Sequence, residues 1–268
     1  MLLLSVDIGI RNLALCLLRG GGGEALRIVK WAVADLHPPT CCDKCSLPAT
    51  LQKSGVKLCR PCARSHADLV APTAALVAAC KRPYNEPVLR ARGVLTEGET
   101  CTRARVDRFM KDRLMVPHRD KPASSAPLPV VARALHSAIR DFVEGHTPLD
   151  LVAIENQIGP HAIRMKAVQA MVTQCIVSLG HVSSCDNVVY VSAKDKLKQF
   201  PESKGLDYGG RKKLSVAVCR RVLRESESAA HAEEFEGHHK RDDLADAYLQ
   251  GIAFAATRGV PPPPGWHM

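Results

Sequence analysis

The opening residues alternate between apolar runs and turn formers, a pattern typical of a β-meander. Residues 2–9 (LLLSVDIG), 12–20 (NLALCLLRG) and 25–36 (ALRIVKWAVADL) are apolar runs of strand length. The glycines from Gly20 to Gly23 separate the second run from the third, and "HPPT" ends the third. This spacing predicts three strands joined by tight turns within residues 1–36.

From residue 128 onward, segments with helical spacing alternate with short apolar runs of strand length. These segments are, in chain order, residues 128–145 (helix), 149–157 (strand), 162–180 (helix), 187–193 (strand), 211–226 (helix) and 240–257 (helix). The predicted order is β-β-β-α-β-α-β-α-α. That order indicates an α/β protein with a mixed sheet flanked by helices.

The same pattern predicts a core that is interrupted by a middle section. Residues 1–36 and 128–260 form the predicted core. Residues 37–68 are rich in cysteine, lysine and turn formers, and they predict a small metal-binding insertion. Residues 69–127 predict a helical and basic linker region, and the proline-rich residues 261–268 predict a flexible tail.

The net charge and the hydropathy of the chain favour some classes of protein and exclude others. The chain has 268 residues, is 46% hydrophobic and carries a formal net charge of +10, which favours a polyanionic partner such as nucleic acid. It contains no uninterrupted apolar run of transmembrane length, so no membrane partner is expected. The first apolar stretch lacks a preceding basic region and is interrupted by Asp7 and Arg11, unlike a signal peptide. The expected location is intracellular, with nucleus, mitochondrion and viral replication site left open.

Two Cys-x-x-Cys pairs in the predicted insertion indicate a structural zinc site. They are Cys42 with Cys45 and, after thirteen intervening residues, Cys59 with Cys62. Four thiolates at this spacing predict a closed tetrahedral Zn²⁺ site with a zinc-ribbon-like fold. In this pattern Cys41 can replace Cys42, and His66 can replace one of the cysteines.

Four carboxylates interrupt otherwise apolar elements. Asp7 lies in the first strand, Glu155 closes a later strand, and Asp243 and Asp246 share one face of the last helix. Each alone has an ordinary interpretation as a turn, an ion pair or a helix cap. Together they favour a site for a hard divalent cation, because burying a carboxylate without a partner costs several kcal/mol. Paired Mg²⁺ ions about 4 Å apart, with Mn²⁺ as a substitute, perform phosphodiester hydrolysis at such sites.

Four segments resemble a known family of nucleases. They are "VDIGIRNLAL", "LVAIENQIGPHAIRMKAVQAM", "VVYVSAKDKLK" and "HHKRDDLADAYLQG". They resemble the RuvC-type Holliday junction resolvases, and the mitochondrial and poxvirus branch in particular. The resemblance implies an RNase H-like nuclease core, a homodimer, and Mg²⁺-dependent resolution of four-way DNA junctions by paired symmetric nicks. The family's acidic residues fall on Asp7, Glu155, Asp243 and Asp246, with Asp242 as an alternative to Asp243. The family lacks the cysteine-rich insertion.

Several basic residues near these motifs are expected to contact DNA. The family has a lysine close to its active site, and Lys194, Lys196 and Lys198 are all candidates for it. The expected nucleic-acid contacts are Arg164, Lys166, Lys194, Lys196, Arg211, Lys212 and Lys213. Each of them alone is also compatible with ordinary surface charge. Branched DNA is the predicted partner, and no small-molecule substrate is expected.

Three other functions fit parts of the pattern. An RNA-guided transposon nuclease also combines a RuvC-like site with a zinc ribbon, but its ribbon follows the glutamate, whereas here the cysteines lie between Asp7 and Glu155. An actin-like or sugar-kinase-like ATPase also opens with a strand and an Asp-x-Gly hairpin, but it does not account for residues 242–247 (DDLADA). A non-catalytic zinc-ribbon protein that binds nucleic acid has no need of four carboxylates.

Overall fold

A computed structural model describes residues 1–159, 162–226 and 229–266. Its strands are β1 (Leu2–Asp7), β2 (Leu13–Gly21), β3 (Glu24–Ala34), β4 (Leu51–Lys53), β5 (Val56–Leu58), β6 (Val116–Pro117), β7 (Leu151–Glu155) and β8 (Val188–Val191). Its helices are α1 (Arg60–Arg64), α2 (Ala74–Ala79), α3 (Glu86–Ala91), α4 (Arg103–Asp112), α5 (Leu128–Val143), α6 (Ile163–Ser178), α7 (Tyr208–Glu225), α8 (Ala229–Gly237) and α9 (Arg241–Ala256). Within the described ranges, no helix has both the length and the apolar character that crossing a membrane requires.

The chain folds as two compact units. Unit 1 comprises Met1–Pro38 and Pro122–Met268, and unit 2 comprises Pro39–Lys121. Unit 2 therefore combines the predicted insertion with most of the predicted linker. The linker part contains α2, α3 and α4, whose first turns are capped by the side chains of Thr73, Asn85 and Thr102.

The sheet of unit 1 has the strand order β3-β2-β1-β7-β8. Strands β1, β2 and β3 form the predicted antiparallel meander, while β7 and β8 run parallel to β1. Val6 pairs with Ile154, so Asp7 and Glu155 both lie at the carboxyl ends of neighbouring parallel strands. The predicted α/β class, a mixed sheet flanked by helices, is confirmed.

Helices cover both faces of this sheet, which explains why β1 is apolar on both sides. Leu4 and Val6 share an apolar cluster with residues of α5 and α6, including Leu135 and Val172. Alternate residues such as Leu3 belong to the opposite cluster, to which α7, α8 and α9 contribute. The central strands are therefore fixed from above and below, and the ends of β1 and β7 are held in one place.

Helix α9 packs closely on the centre of the sheet. A Cβ atom at Gly251 would lie 2.5 Å from Cδ1 of Leu18 and 3.1 Å from Cβ of Ser5, so a larger residue would require these side chains to shift. The buried side chain of Gln250 donates hydrogen bonds to the carbonyl oxygens of Val6 (3.1 Å) and Ala153 (3.3 Å). These contacts fix the rotation of α9 and direct its first turns toward the ends of β1 and β7.

The described part of the predicted tail, residues 261–266, packs on unit 1. The indole of Trp266 is buried and meets the ring of Phe200 edge-on at 5.2 Å. The side chain of Arg221 donates to the carbonyl oxygen of Gly265 (3.0 Å). This differs from the expectation of a flexible end, because a buried indole removes a large apolar area from water. Residues 267–268 of that prediction lie outside the described residues.

Unit 2 contains a small sheet of order β5-β4-β6 and two modest apolar clusters. One cluster surrounds Leu89 and Phe109, and the other includes Leu58, Cys42 and Cys59, with Cys62 packed against it. The two ends of the unit meet: the backbone N–H and the hydroxyl of Thr40 donate to the carboxylate of Asp120, the hydroxyl at 2.6 Å. These bonds hold the pKa of Asp120 below its usual range, although partial burial opposes them.

Candidate active site

A cleft of about 570 Å³ opens at the carboxyl ends of β1 and β7. The four predicted carboxylates, Asp7, Glu155, Asp243 and Asp246, all line it. We call this feature the acidic cleft. The structure thus brings together, from two strands and one helix, side chains that are up to 239 positions apart in the sequence.

A tight turn and a side-chain bond position the two strand carboxylates. A Cβ atom at Gly9 would lie 2.5 Å from the carbonyl oxygen of Asn12, so the turn after Asp7 requires glycine. Glu155 accepts a hydrogen bond from the side-chain amide of Gln157 at 2.8 Å. The backbone N–H of Gln157 in turn donates to the buried Gln169 of α6 (2.8 Å). Both carboxylates are therefore held on rigid supports.

The helix carboxylates are largely buried and incompletely paired. The side chains of Asp243 and Asp246 are 13% and 14% exposed. Oδ2 of Asp243 and Oδ1 of Asp246 are buried and have no hydrogen-bond partner among the described residues. Buried acceptors without a donor are costly, and a divalent cation with oxygen ligands would satisfy them. The donor set therefore fits the predicted metal.

The structure distinguishes Asp243 from its neighbour Asp242. Asp242 is not among the residues that line the acidic cleft, and its carboxylate accepts a hydrogen bond from Lys212. Although burial acts to raise its pKa, this bond lowers the pKa of Asp242. Burial and the negative charge of Asp242 instead raise the pKa of Asp243. Asp243 is therefore the better placed of the two to bind a cation in the cleft.

Lys196 lies among the carboxylates, unlike the two other candidate lysines. Its Nζ is 2.7 Å from Oδ2 of Asp246 and 3.9 Å from Oε1 of Glu155, and its side chain is 10% exposed. Burial acts to lower its pKa, but the surrounding carboxylates outweigh burial and raise it. Lys194 lines the cleft with an exposed side chain, whereas Lys198 is exposed and does not line the cleft.

The nearby lysines do not neutralise this group of acids. Burial raises the pKa of Asp7 well above its usual range, Glu155 and Asp246 raise it further, and Lys196 opposes them. The carboxylates thus repel one another, and the two lysines that contact them, Lys196 and Lys212 (Nζ 3.8 Å from Oδ1 of Asp243), offset only part of that repulsion. Clustered carboxylates of this kind favour added cations, which lower the repulsion.

The predicted DNA contacts fall into three groups. The acidic cleft is lined by Lys194, Lys196, Arg211 and Lys212, whereas Lys213, the next residue of α7, lines a different pocket. Lys166 is exposed on α6. Arg164 differs from the rest, because its guanidinium donates to the carbonyl oxygen of Ala126.

Tyr208 also lines the acidic cleft, and the sequence analysis did not identify it. It is the first residue of α7, its ring is 71% exposed, and Nζ of Lys212 lies 5.3 Å from the ring centroid. An exposed aromatic ring next to lysines is suited to stacking on a nucleobase. The available signal was an aromatic residue between an N-cap aspartate, Asp207, and a basic helix.

The four cysteines of unit 2 form one cluster. The sulfur atoms of Cys42, Cys45, Cys59 and Cys62 all lie within 4.8 Å of one another, and Cys45 is 3.6 Å from both Cys59 and Cys62. Tetrahedral Zn–S bonds of about 2.3 Å place sulfur atoms roughly 3.8 Å apart, which this spacing matches. All eleven cysteines are free thiols, and the backbone N–H of Lys44 donates to Cys42 as in a metal knuckle.

The positions of Cys41 and His66 and the pKa values of the thiols support Cys42, Cys45, Cys59 and Cys62 as the ligand set. Cys41 is exposed outside the cluster, and Nδ1 of His66 accepts from the N–H groups of Asp68 and Leu69. Although burial raises the pKa of Cys42, hydrogen bonds from neighbouring groups lower it to about 6. Cys59 and Cys45 raise the pKa of Cys62 to about 12. Such thiols ionise together only with a cation between them, so the cluster fits a structural Zn²⁺.

Comparison with known proteins gives structural similarities only. No protein-family model and no curated protein matches the chain. The fowlpox virus Holliday junction resolvase is 13% identical, with a TM-score of 0.45 over 96% of this chain and 99% of that one. RuvC from Thermus thermophilus is 10% identical, with a TM-score of 0.44 over 98% and 99%. The yeast mitochondrial Holliday junction resolvase Ydc2 is 13% identical, with a TM-score of 0.42 over 96% and 83%.

Proposed function

We propose that this protein is a metal-dependent endonuclease that cuts branched DNA, with the four-way junction as its substrate. The observation that carries the proposal is the acidic cleft, in which four carboxylates converge and two of their oxygen atoms are buried without a donor. The four-way junction as substrate follows from the motif resemblance. An ATPase does not account for Asp243 and Asp246 in the same cleft as Asp7.

Asp7, Glu155, Asp243 and Asp246 are the proposed metal ligands. When bound, Mg²⁺ ions would supply an activated water and neutralise charge on the phosphate, which is the chemistry of two-metal hydrolysis. The chain itself holds the ligands on β1, β7 and α9 and aligns them through Gln250. Mn²⁺ is expected to replace Mg²⁺, because both accept oxygen ligands in octahedral sites.

Lys196 is the proposed cationic residue of the site. Its ammonium group lies at hydrogen-bond distance from Asp246, so it can stabilise negative charge that develops on a phosphate bound nearby. The proposed contacts to the DNA backbone are Lys194, Arg211 and Lys212, which line the cleft, and Lys213, the next residue of α7. Lys166 belongs to the same proposal, and Arg164 is proposed as a contact only if it leaves the carbonyl oxygen of Ala126.

A homodimer is part of the proposal, because a four-way junction has approximate two-fold symmetry. Two copies related by a two-fold axis would present two acidic clefts, one to each of two opposing strands. Paired symmetric nicks would then follow from the geometry of the assembly. We also propose Zn²⁺ as the ion of the cysteine cluster in unit 2, and an intracellular site of action.

The decisive experiment is cleavage of a synthetic, mobile four-way junction in Mg²⁺, with an excess of linear duplex as competitor. The proposal predicts symmetric nicks on opposing strands that are lost in Glu155→Gln. The matched control is Glu234→Gln, which removes the same charge at an exposed position of α8 and is expected to leave nicking unchanged. Binding of the junction without nicking would instead support a non-catalytic DNA-binding protein. Equal nicking of the duplex would indicate a nuclease with another substrate.

A further inference from the structure

The positive charge of this chain is concentrated in unit 2. Residues 39–121 contain sixteen Lys and Arg residues against eight Asp and Glu residues, so unit 2 carries +8 of the formal +10. Unit 2 stays strongly positive after the two negative charges that a Zn²⁺ tetrathiolate adds to it. The unit that contains the acidic cleft is nearly neutral overall. An insertion with a purely structural role does not require such an excess of positive charge.

Most of the acids of unit 2 are already paired within the unit. Glu86 pairs with Arg90, Glu99 with Arg105, and Asp107 with Arg103. Asp120 accepts hydrogen bonds from Thr40 and His118, and Asp43 accepts one from the backbone N–H of Lys57. Several cations are therefore left without a counter-charge, which favours an external anion.

Three of these cations surround one groove. Arg60, Arg64 and Arg92 have exposed side chains and make no ion pair or side-chain hydrogen bond with any described residue. They line a groove of about 770 Å³, whose floor includes Leu51, Ala63, Leu69 and Pro117. None of the described residues that line it is acidic. We call this feature the arginine groove.

The cysteine cluster fixes two of the three arginines. Arg60 and Arg64 are the first and last residues of α1, a five-residue helix that follows Cys59 directly and contains Cys62. The helix has no side-chain N-cap bond, and a helix this short is not stable by itself. The zinc ligands at Cys59 and Cys62 therefore supply the support that helix propensity does not.

We propose that the arginine groove binds the sugar-phosphate backbone of the DNA that the acidic cleft cuts. This inference rests on the proposed function for the identity of the nucleic acid. Guanidinium groups bind phosphate through two parallel hydrogen bonds, and the apolar floor is suited to the deoxyribose between phosphates. Contacts of this kind carry no sequence information, so the groove adds affinity and position rather than sequence specificity.

The test compares two triple variants that lose the same charge. The first is Arg60→Gln, Arg64→Gln and Arg92→Gln in the full-length protein. The control is Lys81→Gln, Arg108→Gln and Lys111→Gln, three exposed residues of unit 2 that do not line the groove. Both are made in a Glu155→Gln background, and binding of a fluorescent four-way junction is measured from low to high salt without chelator. Zinc content and circular dichroism verify that unit 2 is folded.

We expect the groove triple to weaken junction binding at least about tenfold at 0.15 M salt. We also expect it to reduce the slope of log K against log salt by about two to three, close to one unit per lost phosphate contact. The control triple should change the slope by less than half as much. Equal effects of the two triples on a folded protein would overturn the inference, because total charge alone would then explain binding.

The proposed function is tested separately, by measuring junction nicking with proteins that retain Glu155. With an intact acidic cleft, the control triple should nick the junction at nearly the parental rate, and the groove triple should require a higher protein concentration to reach the same rate. Junction nicking combined with equal binding by the two triples would retain the nuclease and reject the groove. Failure of the parent to bind any branched DNA would reject both.

Discussion

Unit 1 and unit 2 differ in what holds each of them together. In unit 1, both faces of a five-stranded sheet are covered by helices, and the largest fully buried side chains include Trp266, Tyr248 and Phe200. In unit 2, a three-stranded sheet accompanies small apolar clusters and four cysteines in contact. Small units bury too little apolar surface for stability, and metal ligation commonly replaces the missing core.

The two units also use charged groups in opposite ways. Unit 1 collects carboxylates in the acidic cleft, where Lys196 reaches only part of them. Unit 2 pairs most of its acids internally and leaves arginines such as Arg60 and Arg64 exposed. The acidic cleft and the arginine groove are thus located in separate units, so the charge of each can be altered without changing the other.

Loss of the proposed zinc site is the largest effect that we expect. Cys59→Ser should prevent unit 2 from folding and leave unit 1 intact, because structural Zn²⁺ contributes on the order of 10 kcal/mol to folding. Hydrogen exchange should show rapid exchange at Leu51 and Leu58 and continued protection in β1 and β7. Cys41→Ser is the control, with zinc content and protection unchanged. Persistent protection at Leu58 in Cys59→Ser would mean that the apolar clusters alone stabilise unit 2.

Loss of one cleft carboxylate is expected to have the next largest effect, and to affect unit 1 alone. Asp7→Asn should lower the rate of junction nicking roughly a thousandfold, since removing a metal ligand costs about 4 kcal/mol of barrier stabilisation. Zinc content and junction affinity should stay at parental values. Asp141→Asn, an exposed residue of α5, is the control. A nicking rate within threefold of the parent would remove Asp7 from the proposed ligands.

Truncation of the buried indole should lower the stability of unit 1 only. Trp266→Ala is expected to reduce the free energy of unfolding by about 3 kcal/mol, because it leaves a cavity next to Phe200. Calorimetry should show a lower transition temperature for unit 1 and an unchanged transition for unit 2. Trp266→Phe should recover part of the loss. An unaltered transition in Trp266→Ala would indicate that the chain end does not pack on unit 1 in solution.

Loss of an exposed ion pair is the smallest effect that we expect on the stability of unit 2. Glu86→Gln removes the pair with Arg90 on α3, and we expect a loss of less than about 0.5 kcal/mol, as for other exposed pairs one helical turn apart. Chemical unfolding of unit 2 with bound zinc is the appropriate measurement. A loss above about 1 kcal/mol would show that ion pairs, and not only the zinc site, stabilise unit 2.

Sequence patterns predict most elements of unit 1 because each apolar run has a clear period, whereas the short helix α8 was not predicted. The strand that carries Asp7, the strand that ends at Glu155 and the last helix were all recognisable, and their carboxylates meet in the acidic cleft. The sequence did not select among Lys194, Lys196 and Lys198. They lie in or beside a 3₁₀ turn, Asp195–Leu197, where no regular period distinguishes an inward side chain from an outward one.

Sequence patterns predict less of unit 2 and of the chain end. Residues 69–127 were predicted only as a helical and basic linker, without the separate helices α3 and α4, although Asn85 and Thr102 are ordinary N-cap residues. Their apolar residues are few, since each helix buries only one or two side chains. Trp266 follows four prolines, which indicate an irregular backbone. They carry no information on whether the following indole reaches a pocket elsewhere in the fold.

The bonds between Thr40 and Asp120 have a consequence for the history of this chain. They bring the entry and exit of unit 2 together, so a segment of 83 residues occupies the place of a short connection between β3 and α5. A module with adjacent ends can enter a host gene in one recombination event without stretching the host fold. A few residues can therefore replace the module again. We expect related genes both with and without it.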